Sequence, residues 1–262
     1  MLYKIFSKVL ANRLNFFLLS IITKHQYAFT KDRLISDNIM VTFETSHCLQ
    51  RYKSGSHGYM ALKFDMSKAY DRVEWPFLER IMRRMGFNEG WINLIMLCVK
   101  TITYLVLVNG ELCGMIHPTR GIRQGDPTSP FLFLLCTKGL NWLIKKVERD
   151  GDIHGFSLRR RGPKLTHLLF VDDSLFFCKA TMEECGKVLD ILNAYEVASS
   201  QKINKSKTTL FFIKATDGAI KDQIKEAWGV PEIMQYKKYL GLPSFVGKRK
   251  KASFNYIKER VW

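Results

Sequence analysis

Phe170-Val171-Asp172-Asp173-Ser174 sets two adjacent carboxylates between apolar arms. Leu168 to Val171 leads in and Leu175 to Cys178 leads out, both rich in the aliphatic and aromatic residues of buried strands. Asp-Asp-Ser is therefore expected at the tip of a tight hairpin. Neighbouring anions in apolar surroundings repel each other and lose hydration, which raises their pKa or destabilises the fold. A hard divalent cation such as Mg²⁺ removes that penalty through carboxylate oxygens. Asp is also a favoured turn residue, so the same pair fits a plain solvated turn.

A second acidic position adds weight to the metal reading. Tyr59 to Phe64 reads as a short, largely apolar strand that ends at Asp65, and Met66 to Asp71 turns towards a helix. Asp65 thus stands at a strand's carboxyl end, where side chains reach a cleft. Carboxylates from two such strand ends meet when their strands are neighbours in one sheet. Three converging there could hold two Mg²⁺ ions for in-line displacement at phosphorus. Asp65 also suits a helix N-cap. Between the acids runs Thr119-Arg120-Gly121-Ile122-Arg123-Gln124-Gly125-Asp126-Pro127-Thr128-Ser129-Pro130. Two glycines permit close backbone approach, two arginines offer bidentate phosphate contacts, and Pro130 opens an apolar helix pattern. Such a loop suits an anionic ligand, although basic loops entering helices are ordinary.

Ordered blocks along nearly the whole chain resemble the reverse transcriptase domain of a plant LINE-type (non-LTR) retrotransposon. They are Lys8 to Leu14, Gln26 to Arg33, Phe64 to Asp71, Arg123 to Pro130, Phe170 to Asp173, Gln201 to Asn204 with Lys207, and Tyr239-Leu240-Gly241. The resemblance implies an RNA-directed DNA polymerase that moves a nucleotide from a dNTP to a primer 3′-hydroxyl on an RNA template, using two Mg²⁺ ions or Mn²⁺ in their place. Asp65, Asp172 and Asp173 match its metal-binding aspartates, with the Met66 carbonyl as a further ligand. Lys68 and Ala69 match positions whose N–H groups meet the triphosphate, and Tyr70 matches the ring that excludes a ribose 2′-hydroxyl. Gln124 and Gly125 match the loop packed on the incoming nucleotide, and Arg33 a basic residue aimed at its β- and γ-phosphates. Lys207 matches a proton donor to departing pyrophosphate. Arg123, Tyr239, Leu240 and Gly241 match primer and template contacts. Duller readings stand beside these: Tyr70 and Tyr239-Leu240 as core, Arg33, Arg123 and Lys207 as solvated charges.

The pattern also departs from the family. Val171 stands where a small residue is usual before the paired acids, and Ser200 where Gly is usual. Thr30-Lys31-Asp32 replaces the Val-Pro-Gly that normally precedes the arginine, and Asp32 sets an anion beside that phosphate ligand. The resemblance implies an α+β fold: right-hand fingers and palm, a mostly antiparallel palm sheet, and a thumb largely missing from a chain truncated at both ends. Residues 1–58 would be fingers-like, 59–245 palm with a fingers insertion near 73–128, and 246–262 the start of a thumb or connection. A catalytically inactive RNA- or DNA-binding remnant is the alternative.

Composition agrees with a nucleic-acid partner. In 262 residues, 41 Lys and Arg against 24 Asp and Glu leave +17, and 47% hydrophobic residues suffice for a substantial core. From Lys202 onward there are 14 basic and 5 acidic residues, a net of +9, which suits a phosphate backbone or merely a soluble surface. Six cysteines lack any Cys-x-x-Cys pair and mostly sit in apolar runs, so they read as reduced core thiols of an intracellular protein, nuclear or cytoplasmic, with neither zinc nor disulfides. No acidic residue precedes Asp32, a composition like a mitochondrial presequence, but Lys8 to Leu14 belongs to the polymerase pattern. The longest apolar run, near Phe16 to Ile22, is too short to span a membrane.

To hold those residues, periodicity predicts helices near 3–20, 34–50, 76–84, 90–99, 130–149, 183–199 and 218–227. Strands are predicted near 59–65, 101–108, 111–117, 165–171, 174–179 and 208–213. Apolar residues at 2, 5, 6, 9, 10, 14, 17, 18 and 21 predict the buried face of the first helix. Asn109-Gly110 predicts a hairpin turn, and helices covering one face of the sheet complete the α+β arrangement.

Overall fold

A computed structural model describes residues 2–22, 26, 28–30, 33–52, 58–159, 162–171, 173–234, 238–240 and 242–243. Asp172, Gly241 and the expected 246–262 segment lie outside the described residues. The helices are α1 (Leu2–Ile21), α2 (Ile35–Arg51), α3 (Trp75–Arg84), α4 (Glu89–Lys100), α5 (Ser129–Arg149), α6 (Met182–Ser199) and α7 (Gly218–Trp228). The longer strands are β1 (Tyr59–Ser67), β2 (Tyr104–Val108), β3 (Glu111–Ile116), β6 (His167–Phe170), β7 (Asp173–Lys179) and β9 (Thr209–Phe212). Two-residue strands are β4 (Phe156–Ser157), β5 (Lys164–Leu165), β8 (Lys202–Ile203), β10 (Lys238–Tyr239) and β11 (Leu242–Pro243).

Local chemistry explains the helix ends. Asn88 accepts from the Gly90 N–H at 2.8 Å and Asp217 from the Ala219 N–H at 2.9 Å, each satisfying an orphan donor of a first turn. Proline stands in the first turn of α3 and of α5, where its missing N–H is harmless. Ser200 adopts φ 57° beyond α6, and its N–H closes on the Glu196 carbonyl at 2.8 Å. The special turn usually given to glycine is thus kept by serine.

β1 is the centre of the main sheet. It pairs antiparallel with β7 on one side, and with β9 and then β8 on the other, while β6 flanks β7. Strand alternation divides its side chains. Met60, Leu62, Phe64 and Met66 face the larger core with residues of α1 and of α3 through α7. Burying Leu62 and Phe64 completely stabilises the sheet by about 2 kcal/mol each. Ala61 points the other way, into a smaller core with Leu175, Phe177, Phe211, Tyr239, and Ile39 and Leu49 of α2. The α+β class is as expected, but the layering is not: α2 packs on the second face, so helices cover both faces of the sheet and not one.

Several expectations shift. The β6–β7 register pairs Phe170 with Asp173 and Leu169 with Ser174, so Asp173 and Ser174 belong to a strand and not to the turn. β2 begins at Tyr104 because the α4 cap takes Thr101. The buried face of α1 is Ser7, Leu10, Ala11, Leu14 and Leu18, while Ile5, Phe6, Val9 and Phe17 are exposed. Ser7 turns inward to bond Asp126, which rotates the helix away from the purely apolar stripe. Asn109 and Gly110 close the β2–β3 hairpin with φ 52° and 88°, as that dipeptide predicts. Both faces of this ribbon are exposed. Cys98, Cys136, Cys178 and Cys185 are core thiols, and burial pushes Cys136 up to about 12; Cys113 is exposed on the ribbon, contrary to the core reading.

Candidate active site

Asp65 and Lys63 sit on the β1 face opposite Phe64, at the strand's carboxyl end. Register places Asp65 directly against Asp173 of β7. Paired residues on adjacent antiparallel strands hold their Cβ atoms about 5 Å apart on one face. Two carboxylates at that spacing repel by roughly 3 kcal/mol at an effective dielectric near 20. Two lysines offset this: Lys207 Nζ lies 3.0 Å from Asp65 Oδ2, and Lys63 Nζ 3.2 Å from Asp173 Oδ1. Asp65 is 6% exposed, and its main-chain carbonyl accepts from the Asn204 N–H at 2.8 Å, which fixes the strand end against β8.

A cavity of about 770 Å³ opens beside Asp65. Its walls bring together Met66, Lys68, Ala69, Tyr70, Gln124, Gly125 and Lys207, drawn from three separate blocks of sequence. Val171 of the acidic hairpin also lines it, at φ 51°. A β-branched residue in the left-handed region stores on the order of 1–2 kcal/mol, held here by the ladder that closes the hairpin. Lys68 shares that unusual backbone, at φ 50°. The Lys68-Ala69-Tyr70 turn is fastened through its carbonyls: Arg72 N–H reaches Lys68, Gln201 Nε2 reaches Ala69 at 2.9 Å, and Ile122 N–H reaches Tyr70 at 3.0 Å. The Tyr70 ring stacks on Phe133 with centroids 5.2 Å apart and planes 7° from parallel.

The Gln124-Gly125 loop is held from both ends. Gly121, at φ 88°, approaches so closely that a Cβ would lie 2.9 Å from the Asp71 carbonyl oxygen. Asp126 accepts from Ser7 Oγ and Thr128 Oγ1, both at 2.6 Å. Burial raises the Asp126 pKa, but these hydrogen bonds outweigh it and leave the carboxyl below its ordinary value of 3.8. Asp126, Gln201 and Lys63 were not singled out from sequence. Their partners lie 119 and 132 positions away for Asp126 and Gln201, and across a strand pair for Lys63.

Other expected residues stand elsewhere. Arg33 is not among the cavity's lining residues; its guanidinium donates to the Gln26 carbonyl. Arg123 lines a separate concavity with Asp71, Tyr104 and Arg120. Tyr239 is buried in the smaller core, where burial and the nearby Asp173 charge push its phenol up, and Lys63 Nζ sits 5.7 Å from its ring centre. Leu240 forms the following turn at φ 48°. Tyr239 thus fits the core reading while still touching the lysine that binds Asp173.

Two carboxylates paired on one sheet face, with Asp65 lining a polar cavity, suit a hard divalent cation such as Mg²⁺ or Mn²⁺. Among the described residues no group of three His, Cys, Asp or Glu gathers as a metal cluster, and no helix is long and apolar enough to cross a membrane.

An antiparallel sheet with acids at adjacent strand ends, a basic Gly-containing loop and a cleft above them define a nucleic-acid polymerase palm. Residues 1–257 match the family model described as reverse transcriptase (RNA-dependent DNA polymerase), and the chain belongs to that family. A Pol polyprotein of the type-1 retrotransposable element R2 from Popillia japonica is 30% identical over 92% of this chain and 33% of its own length. An uncharacterized mitochondrial protein of Arabidopsis thaliana is 43% identical over 27% of this chain and 57% of its own. The chain spans from 15% to 57% of the curated relatives it matches. The fold is also that of apo telomerase from Candida tropicalis lacking its C-terminal domain (TM-score 0.56, 18% identity, covering 81% of this chain and 41% of that one).

Proposed function

We propose that this chain is the polymerase domain of a retrotransposon and extends a DNA primer along an RNA template with dNTPs. The observation that carries this reading is the register that pairs Asp65 with Asp173 beside the cavity lined by Lys68, Ala69, Tyr70, Gln124 and Gly125. With Asp172 as the third acid and the Met66 carbonyl, these carboxylates would hold two Mg²⁺ ions. When bound, such ions lower the pKa of the attacking hydroxyl and neutralise charge on the α-phosphate.

The chain's own residues orient the substrate. Main-chain N–H groups at Lys68 and Ala69 meet the triphosphate, and Arg33 reaches its outer phosphates only by leaving the Gln26 carbonyl. Tyr70, fixed flat on Phe133, sits under the sugar and clashes with a ribose 2′-hydroxyl. Gln124 and Gly125 pack on the base pair being formed, while Arg123, Leu240 and Gly241 steady primer and template, with Tyr239 supporting them from the smaller core. The primer 3′-oxygen forms the new bond to the α-phosphorus, and the bond to the bridging oxygen breaks. Lys207, already 3.0 Å from Asp65, gives a proton to the leaving pyrophosphate and regains one from solvent.

Primer extension on an RNA template, with the wild-type chain beside Asp65→Asn and Asp173→Asn, tests this. Each variant should lose on the order of 10³-fold in rate, because several kcal/mol of charge stabilisation disappears. Equal product from all three would leave a nucleic-acid-binding remnant as the better description.

A further inference from the structure

A second concavity lies away from the aspartates. Trp142, Lys145, Lys146 and Arg149 occupy positions i, i+3, i+4 and i+7 of α5, one helical face. Arg84, the last residue of α3, joins them around a hollow of about 430 Å³ with no acidic lining residue. α5 packs against the sheet face opposite Asp65, and Trp142 is twelve residues beyond Pro130, about 18 Å along the axis.

Two properties distinguish this hollow from an ordinary basic surface. Arg83 next door is tied to Glu79 and Glu89, and Lys145 to Glu148, yet among the described residues no carboxylate pairs with Arg84, Lys146 or Arg149. Like charges gathered without counter-charge destabilise the fold unless an anion joins them. Trp142 is also the most exposed of the four described tryptophans, at 37%, whereas Trp228 is 4% exposed. A solvated basic face has no use for an open indole.

We propose that this hollow binds single-stranded nucleic acid, the guanidinium and ammonium groups taking successive phosphates and the Trp142 indole stacking on an unpaired base. Arginine pairs with phosphate in bidentate fashion, and an indole accepts the face of any base. A duplex hides its base faces, so a single strand is the matching partner. The site is separate from the cleft and would grip template that is not yet, or no longer, paired.

The test uses the intact chain and a fluorescent oligouridylate of about ten nucleotides, within the usual span of one single-strand site. Ultraviolet cross-linking followed by tryptic mapping should label the peptide spanning 139–145. Trp142→Ala should weaken binding about 5- to 100-fold, as loss of one stacked base does. Arg84→Gln, Lys146→Gln and Arg149→Gln together should flatten the log–log salt slope by about 2, three phosphate contacts at roughly 0.7 each. A deoxyuridylate arm separates RNA from DNA preference, and anionic phosphatidylserine vesicles form the competing arm. Cross-links confined to other peptides, with wild-type affinity in both variants, overturn the proposal, as does binding to vesicles but not to oligonucleotide. Should Trp142→Ala fail to fold by circular dichroism, Trp142→Phe and the triple variant carry the decision. Binding and cross-linking need no turnover, so loss of the catalytic reading would leave this result standing.

Discussion

Lys63 and Lys207 each bring one ammonium to one of two facing carboxylates, so those four side chains sum to zero charge. Lys63 is held in place twice, by Asp173 and by the face of Tyr239. A divalent cation entering between the acids must displace or share these partners. Replacing Lys63 by methionine keeps the stem and removes the charge, leaving the Asp65–Asp173 repulsion with one counter-ion. The metal-free variant should melt about 2–4 °C below wild type, the change expected for roughly 1 kcal/mol in a domain of this size. Added Mg²⁺ should narrow that gap. Calorimetry with and without the ion checks this; identical melting under both conditions would show that Lys63 does not balance the pair.

Asp126 binds two elements together: it sits in the loop before α5 and takes a hydrogen bond from Ser7 of α1. Because its folded pKa lies below its ordinary value of 3.8, its contribution is fully present above that pH and is lost as pH falls through the lower folded value. Asp126→Ala should destabilise the chain by about 2–3 kcal/mol near neutrality, since a buried charged acceptor and its donors are separated. In acid unfolding curves the difference from wild type should shrink below about pH 4; a gap independent of pH would refute the ionised form. The helices were legible from periodicity, most within one or two residues, because each buries a continuous stripe. β4, β8, β10 and β11 were not, for two residues give no period to read. Asp65, Tyr70 and Gln124 could be placed from motifs, whereas Asp126 and Gln201 work through partners more than a hundred positions away. Spacing could not show that Asp173 had already entered its strand, since only the ladder settles which residues form the tip.

Across the whole molecule, +17 on 262 residues means that association with any polyanion should be steeply salt-dependent. If six to ten phosphates are contacted, affinity for an RNA–DNA hybrid should fall about 10³- to 10⁵-fold between roughly 50 and 200 mM salt. Fluorescence anisotropy across that range checks it, and a flat profile would assign the charge to solubility alone. The β2–β3 ribbon is the opposite kind of surface: Leu105, Leu107, Leu112 and Met115 are exposed on a hairpin with Glu111 as its one ionised side chain. Isolated two-stranded ribbons are marginal in water, so its order rests on the turn and on the body from which it projects. The partnering of residues 65 and 173 across β1 and β7 has a wider consequence. Backbone hydrogen bonds act as the ruler between the acids, so surrounding loops can diverge without altering that span. A slip of one residue between those strands would swing one acid to the far side of the sheet, and no repacking of side chains could bring it back.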